Sequence, residues 1–245
     1  VRIAVMQPYF MPYAGYFRLF ASTDLFVAFD CVQFPRRGWV HRNRLSTVGG
    51  QSDWLTLPLQ KADRDGTRIC DLRFRNDAQR EWQEGLRRFP ALLTLAQQGG
   101  ELAERALNLA PYPVDYIIAG MRAVARLLGV ERPVIRSSSL EVDPALKGQD
   151  RILEILRLLG GREYVNAPGG RALYDPAAFR RANVRLLFLS EYRGALTSVL
   201  ERLALEPAAA VRAELDANLA LEDAAPAPPQ PAVSAPERGL PAPGF

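Results

Sequence analysis

The stretch VMQPYFMPYAGYFRLF, Val5 to Phe20, carries three tyrosines, three phenylalanines and two prolines in sixteen residues. An ordinary turn needs only Gly, Asn, Asp or a single Pro, so this density of rigid rings asks for another reason. Pro8 and Pro12 fix backbone angles, and Gly15 admits a close neighbour. Tyr9, Tyr13 and Tyr16 can stack on a base or a sugar and bond its hydroxyls, with Gln7 beside them as a further polar group. Each tyrosine taken singly could equally staple a helix to a sheet; the cluster beside Gln7 reads as a ligand site.

A second chemical cluster follows in AFDCVQFPRRGWVHRNR, Ala28 to Arg44. Asp30 offers a carboxylate at a strand's end that could act as a base, so Asp30→Asn is expected to cut turnover and leave binding largely intact. Beyond it, Gln33, Gly38, Trp39 and Asn43 are interspersed with Arg36, Arg37, Arg42 and Arg44. Guanidinium groups grip phosphate through two parallel hydrogen bonds; the bland alternative is a solvated basic loop. His41 is the single histidine of the chain and a candidate proton carrier. Further along, IRSSSLE sets Ser137, Ser138 and Ser139 at a strand end, and VNAPGG sets Asn166, Gly169 and Gly170 after another. Hydroxyls and glycine-lined backbone at such ends suit an anionic ligand, or a tight turn. The aromatic bend and the arginine patch are expected to wall one pocket for a phosphorylated sugar.

Other chemistries are excluded. There is no Gly-x-x-x-x-Gly-Lys-Ser/Thr or Gly-x-Gly-x-x-Gly fingerprint. A Ser–His–Asp system would have to use His41 without a Gly-x-Ser-x-Gly elbow. One histidine rules out a histidine-rich metal centre, so no metal ligand is assigned. Cys31 and Cys70 have no metal-ligand spacing and cannot build a disulfide framework, which leaves reduced thiols.

The elements that must hold these residues can be read from periodicity. RIAVMQP and LFVAFDCVQF are apolar runs that suit strands covered on both faces. A helix is expected from about Tyr13 to Ala21. DWLTLPLQ and RICDLRF alternate and read as a hairpin pair or edge strands. From Asp77 to Gly129 the pattern turns helical, as a cap or insertion. Then come a strand at PVIRSS, a helix at GQDRILEILRLLGG, a strand at EYVN, a short helix at PAAFRRAN and a strand at VRLLFL. This alternation means an α/β fold with a mainly parallel sheet. A helical segment closes the domain, 1–223. From Ala224, seven prolines in 22 residues and almost no core-forming side chains give a tail expected to be disordered.

At 245 residues, 48% hydrophobic and 24% charged, the composition is that of a globular protein long enough for a real core. No apolar run reaches the ~18 residues of a spanning helix, so no membrane insertion is expected. VRIAVMQP lacks the features of a secretory signal, and a cytoplasmic address follows as the expectation. The net charge of +4 comes almost wholly from arginine. Spread over this length and without a known motif, it gives no reason to expect a nucleic-acid partner. Oligomeric state is not legible.

MQPYFMPYAGYFRL, FVAFDCVQFPRRGWVHRNR, LTLPLQKA, GQDRILEILRLLG and YVNAPGGRALYDPAAFRRANVRLLFL together resemble the WbqC-like family of bacterial proteins, in the family's order and from Arg2 to about Leu189. The resemblance implies a role with O-antigen, lipopolysaccharide and other surface-polysaccharide loci. It also implies a sugar-nucleotide substrate and a transferase that acylates or aminoacylates an amino sugar from an activated donor. Cys31 stands where the family usually has an acidic residue or Asn, which speaks against a two-carboxylate metal site. FMPYAGY also looks like the phosphate-binding turn of nucleotidyltransferases, with Ala14 and Tyr16 in place of that turn's two histidines. The second likeness keeps nucleotide binding on a Rossmann-like fold, and leaves a nucleotidyltransferase-like enzyme or a non-catalytic sugar-nucleotide-binding protein as alternatives.

Overall fold

The computed structural model describes residues 1–63 and 66–224. Arg2–Met6 forms strand β1. After the aromatic bend, a 3-10 turn at Ala14–Phe17 runs into helix α1 (Arg18–Ala21). The single helix expected from Tyr13 is thus split, because the tight turn draws all four of its residues into the core. Leu25–Ala28 is β2.

Strands β3 (Arg42–Ser46) and β4 (Ser52–Thr56) then pair antiparallel as a separate two-stranded sheet. This corrects two expectations. The end of the basic segment is a strand, and RICDLRF forms a 3-10 turn at Ile69–Asp71 and pairs with DWLTLPLQ only at its end, around Leu59 and Phe74. Only single bridges, Gln33 with Arg68 and Leu59 with Phe74, join those segments to their neighbours. Pro58 stops the ladder there, since proline has no N–H to donate.

Helices α2 (Ala78–Leu86), α3 (Pro90–Gln98), α4 (Gly100–Leu107) and α5 (Pro113–Leu127) fill the expected helical segment. Pro90 and Pro113 open two of them, where a missing N–H costs nothing. There follow β5 (Val134–Arg136), α6 (Gly148–Leu158), β6 (Glu163–Asn166), α7 (Pro176–Arg181) and β7 (Arg185–Leu189). The described chain closes with α8 (Val199–Leu205), α9 (Ala208–Ala217) and β8 (Leu221–Asp223).

The main sheet has the order β5-β2-β1-β6-β7-β8, parallel throughout except for β8. Both faces are covered. Ile3, Val5, Tyr164, Leu186 and Phe188 pack on α6 and α7, while Ala4, Phe26, Val165 and Leu187 join the larger core built with the other helices. That double burial explains the near-continuous apolar runs of the strands. The sheet grows from β1 outward through β2 to β5, then restarts on the other side with β6. The gap between β1 and β6 is therefore the switch point of a Rossmann-like sheet, where open α/β folds bind ligands. Among the described residues no helix is long and apolar enough to cross a membrane. The Pro/Ala-rich tail lies outside the described residues from 225 onward.

Candidate functional site

At the carboxyl ends of β1 and β6 a cleft of about 420 Å³ opens. Gln7, Tyr9, Tyr13, Gly15 and Tyr16 form one wall, and Asn166, Gly169 and Gly170 the other. Arg18 and Tyr174 also line it, over an apolar floor that includes Val5, Phe29, Ile152 and Leu189. The structure thus brings together eight of the candidate residues from two segments far apart in the chain.

The aromatic wall is rigid. The fully buried Tyr16 hydroxyl donates to the Gln7 carbonyl at 2.7 Å, and its ring lies 5.5 Å from that of Tyr9. Tyr192, arriving from the loop after β7, packs its ring 5.3 Å from Tyr13. Burial raises the pKa of Tyr9, Tyr13 and Tyr16, for Tyr16 well above the usual phenol value. All three hydroxyls are therefore protonated at neutral pH; that of Tyr16 is spent on the Gln7 carbonyl, which leaves Tyr9 and Tyr13 to donate to a ligand. On the opposite wall, the Asn166 side-chain oxygen accepts from Ala167 N at 2.7 Å. A Cβ on Gly170 would lie 2.6 Å from Asn166 Nδ2, so glycine is what lets the Asn166 amide stand there.

Arg18 is the cleft's cation, and the sequence reading passed over it. Only 1% of it is exposed. Its Nε donates to the Gly15 carbonyl at 3.1 Å and its Nη1 to the carbonyls of Ser190 and Asn218 at 2.9 and 2.8 Å. The guanidinium lies 4.9 Å from the centre of the Tyr192 ring. No carboxylate is within ion-pair distance among the described residues, and burial lowers its pKa. It thus leaves the neighbouring cleft with positive potential not neutralised at contact range. A lone cation inside an apolar run, FRLF, was the available signal; Tyr174 and Tyr192 gave none, because they arrive through long-range packing.

The bend is clamped from behind. Met11 has φ 48°, uncommon for a residue with a side chain. Its carbonyl accepts from Asn43 Nδ2 and, at 2.8 Å, from Ser198 Oγ. Asn43 Nδ2 also donates to the Phe10 carbonyl at 3.2 Å. Pro12 faces this reverse side, in a small apolar slot between the bend and α5.

The expectation of one shared pocket needs correcting. Arg37, Trp39, Arg42 and Asn43 do not line the cleft. The alternation of β3 turns Asn43 and Leu45 inward toward the bend and core, and Arg42 and Arg44 to the other face. The two segments therefore meet back to back. Gly38 closes a turn against Pro35, whose ring a Cβ would strike at 2.9 Å; Gln33 is on the surface beside Arg68.

Asp30 is likewise elsewhere. Its carboxylate is 0% exposed. It accepts from Ser137 Oγ at 3.1 Å, Ser138 N at 2.8 Å, Ser138 Oγ at 2.8 Å and Arg136 Nε at 2.7 Å. Arg136 continues to Asp115 on α5 at 2.9 Å. Ser137 and Ser138 are thus occupied in tying β2 to β5, and the carboxylate has no unoccupied face toward the cleft.

His41 packs its ring 4.9 Å from Phe34, and its Nδ1 is buried without a partner. Burial, helped by Arg42, lowers its pKa to about 4. The folded chain resists a proton that the unfolded chain accepts below pH ~6.5. Stability from this group is complete above pH ~6.5 and is lost as pH falls toward about 4. Urea titrations at pH 7 and 4.5 should show a smaller pH-dependent loss for His41→Gln than for the unaltered chain; equal losses would remove this account.

A family model described as the WbqC-like protein family matches residues 7–195, from Gln7 on the cleft's aromatic wall to beyond Leu189 in its floor. The chain belongs to the WbqC-like family. A Mycobacterium tuberculosis (strain ATCC 25618 / H37Rv) protein described as uncharacterized protein Rv1507c is 25% identical over 201 residues, covering 79% of this chain and 83% of that protein. No solved structure matches. Within this WbqC-like chain, the family match spans the bend, the helical segment and the Asn166–Gly170 wall, so both walls of the cleft fall inside it.

Proposed function

We propose that this WbqC-like protein is a transferase of surface-polysaccharide biosynthesis that holds a nucleotide-linked amino sugar in the β1/β6 cleft and receives an acyl or aminoacyl group onto its amine. The carrying observation is the cleft's position at the sheet's switch point, with neutral tyrosines on one wall and a glycine turn on the other. Tyr9 and Tyr13 offer ring faces to the base or sugar. Gln7 and Asn166 offer amides to hydroxyls, and Gly169–Gly170 lets backbone approach the diphosphate. Arg18 supplies positive potential beneath.

In the reaction, the free amine forms a C–N bond to the activated carbonyl, the bond to the donor's leaving group breaks, and the nitrogen's proton passes to water. Protonated tyrosine hydroxyls can donate to the oxyanion that develops in between. Binding and orientation carry most of the rate in this scheme.

A second reading rests on one observation: among the described residues no carboxylate, histidine or thiol lines the cleft. A protein that only binds and presents the sugar nucleotide needs none. Thermal shift with a panel of sugar nucleotides tests both readings. A ligand at a hundred times its Kd adds about 2.7 kcal/mol, or roughly 5–10 °C at this size. Mass spectrometry after adding activated donors then separates transfer from mere binding. No shift with any sugar nucleotide, or an equal shift in the Tyr9→Ala/Tyr13→Ala chain, would overturn both.

A further inference from the structure

We infer that the outward face of the β3–β4 hairpin binds single-stranded nucleic acid. This inference does not depend on what occupies the β1/β6 cleft. The hairpin has two unlike faces. Asn43, Leu45 and Leu55 point inward and are buried, whereas Arg42, Arg44, Trp54 and Thr56 share the other face by register. Trp39, on the preceding turn, joins that face with its ring 5.4 Å from Trp54. It is 46% exposed. The Arg42 guanidinium lies 4.1 Å from the Trp54 ring centre and that of Arg44 5.5 Å.

The arginines of this face make no ion pair at contact distance; Asp53 feels the charge of Arg44 from further off, and Glu201 bonds Ser46 at the face's end. Among the described residues, neither Arg42 nor Arg44 is within ion-pair distance of a carboxylate, nor are Arg36 and Arg37 on the turn before Trp39. Some surface arginines are matched, as Arg88 is with Asp53 and Arg126 with Glu101 and Glu131; others, Arg87 and Arg105 among them, are not, so what marks this face is unpaired guanidiniums stacked on an indole. The overall +4 conceals this local excess. A guanidinium stacked on an indole keeps its N–H edge directed away from the ring, ready for a two-pronged phosphate contact. Arg42 and Arg44, two residues apart on one strand, stand roughly 6.8 Å apart, a separation that suits adjacent phosphates of an extended single strand. Trp39 supplies an exposed ring on which a base can stack.

The ledge is also held in place. Trp39 O accepts from Phe10 N at 2.9 Å, and Asn43 bonds the bend from beneath. A single strand therefore meets a fixed surface, with little ordering of the protein to offset. A duplex would hide its base faces from Trp39. An anionic glycan could also meet the guanidiniums and pack a sugar face on Trp39, so a sulfated glycan is the competitor that the test must include.

Fluorescence anisotropy with labelled eight-nucleotide RNA and DNA of one sequence, on the full chain, tests this. Log affinity should fall with log salt at a slope of roughly −2 to −3, for three to four phosphates contacted. Trp39→Ala should weaken binding roughly tenfold. Arg42→Gln/Arg44→Gln should flatten the slope by about 1.4, with melting temperatures near that of the unaltered chain. Tyr9→Ala should leave oligonucleotide binding unchanged. Tighter RNA than DNA would add a 2′-hydroxyl contact, and equal affinity a general single-strand site; both support the inference. No binding at low salt, unchanged binding in Trp39→Ala and the double arginine variant, tighter binding of a duplex, or tighter binding of a sulfated glycan would each overturn it.

Discussion

Asp30→Ala is expected to lose about 3 kcal/mol or more of folding stability, a fall in Tm of roughly 6–12 °C for a chain of this size. Asp30 is fully buried, and four hydrogen bonds converge on its carboxylate from Arg136, Ser137 and Ser138. Removing it leaves the buried Ser137 hydroxyl and the part-buried Ser138 N–H without their acceptor. Arg136 loses its shortest ion pair and keeps only Asp115. Each stranded donor costs about 1–3 kcal/mol. Asp30→Asn should lose less, because its remaining oxygen still accepts from some of the same donors. Sugar-nucleotide affinity of the folded fraction should stay near that of the unaltered chain in both variants, since the carboxylate does not line the cleft. Urea unfolding beside ligand titration checks this. Unchanged stability with lost turnover would restore Asp30 to the chemistry.

That outcome differs from what the residues alone suggest, and the reason is physical. Asp30 stands at a strand's carboxyl end, where an open sheet presents side chains to a crevice. Its donors, Ser137 and Ser138, arrive from β5, 107 and 108 residues away, and no local pattern announces them. The main strands were legible because both their faces are covered, so apolar runs mark them directly. Strand β3 was not, because its sequence RNRLS hides a period of two behind polar side chains, one of which, Asn43, is buried to clamp the bend. The three-residue β8 is half-exposed and acidic at its end, with too little apolar content to signal an edge strand. Similarly, the bend and the Asn166–Gly170 turn could each be read locally. Their meeting across the switch point depends on strand order, which periodicity does not encode.

The same substitution at two glycines should act in opposite directions. Gly85 lies inside α2 with nothing within 4 Å of an added Cβ, so Gly85→Ala should stabilise by about 0.5–1 kcal/mol through helix propensity. At Gly15 an added Cβ would lie 2.7 Å from Tyr192 Cγ and 2.8 Å from its Cδ1, and nearer still to Tyr13. Neither ring can retreat easily. Tyr192 is bonded to Glu214 and backed by the Arg18 guanidinium, while Tyr13 is held between Tyr192 and the cleft. Gly15→Ala should therefore destabilise by about 1–3 kcal/mol through overpacking. It should also push Tyr13 out of position, weakening sugar-nucleotide binding tenfold or more, since displacement of about 1 Å is enough to disrupt a positioned site. Oligonucleotide binding at the Trp39 ledge should be unaffected, because the bend's reverse side is clamped separately by Asn43 and Ser198. If Gly15→Ala and Gly85→Ala melt at the same temperature and bind sugar nucleotide equally, the two rings yield freely and the aromatic wall is not the rigid surface on which the cleft depends.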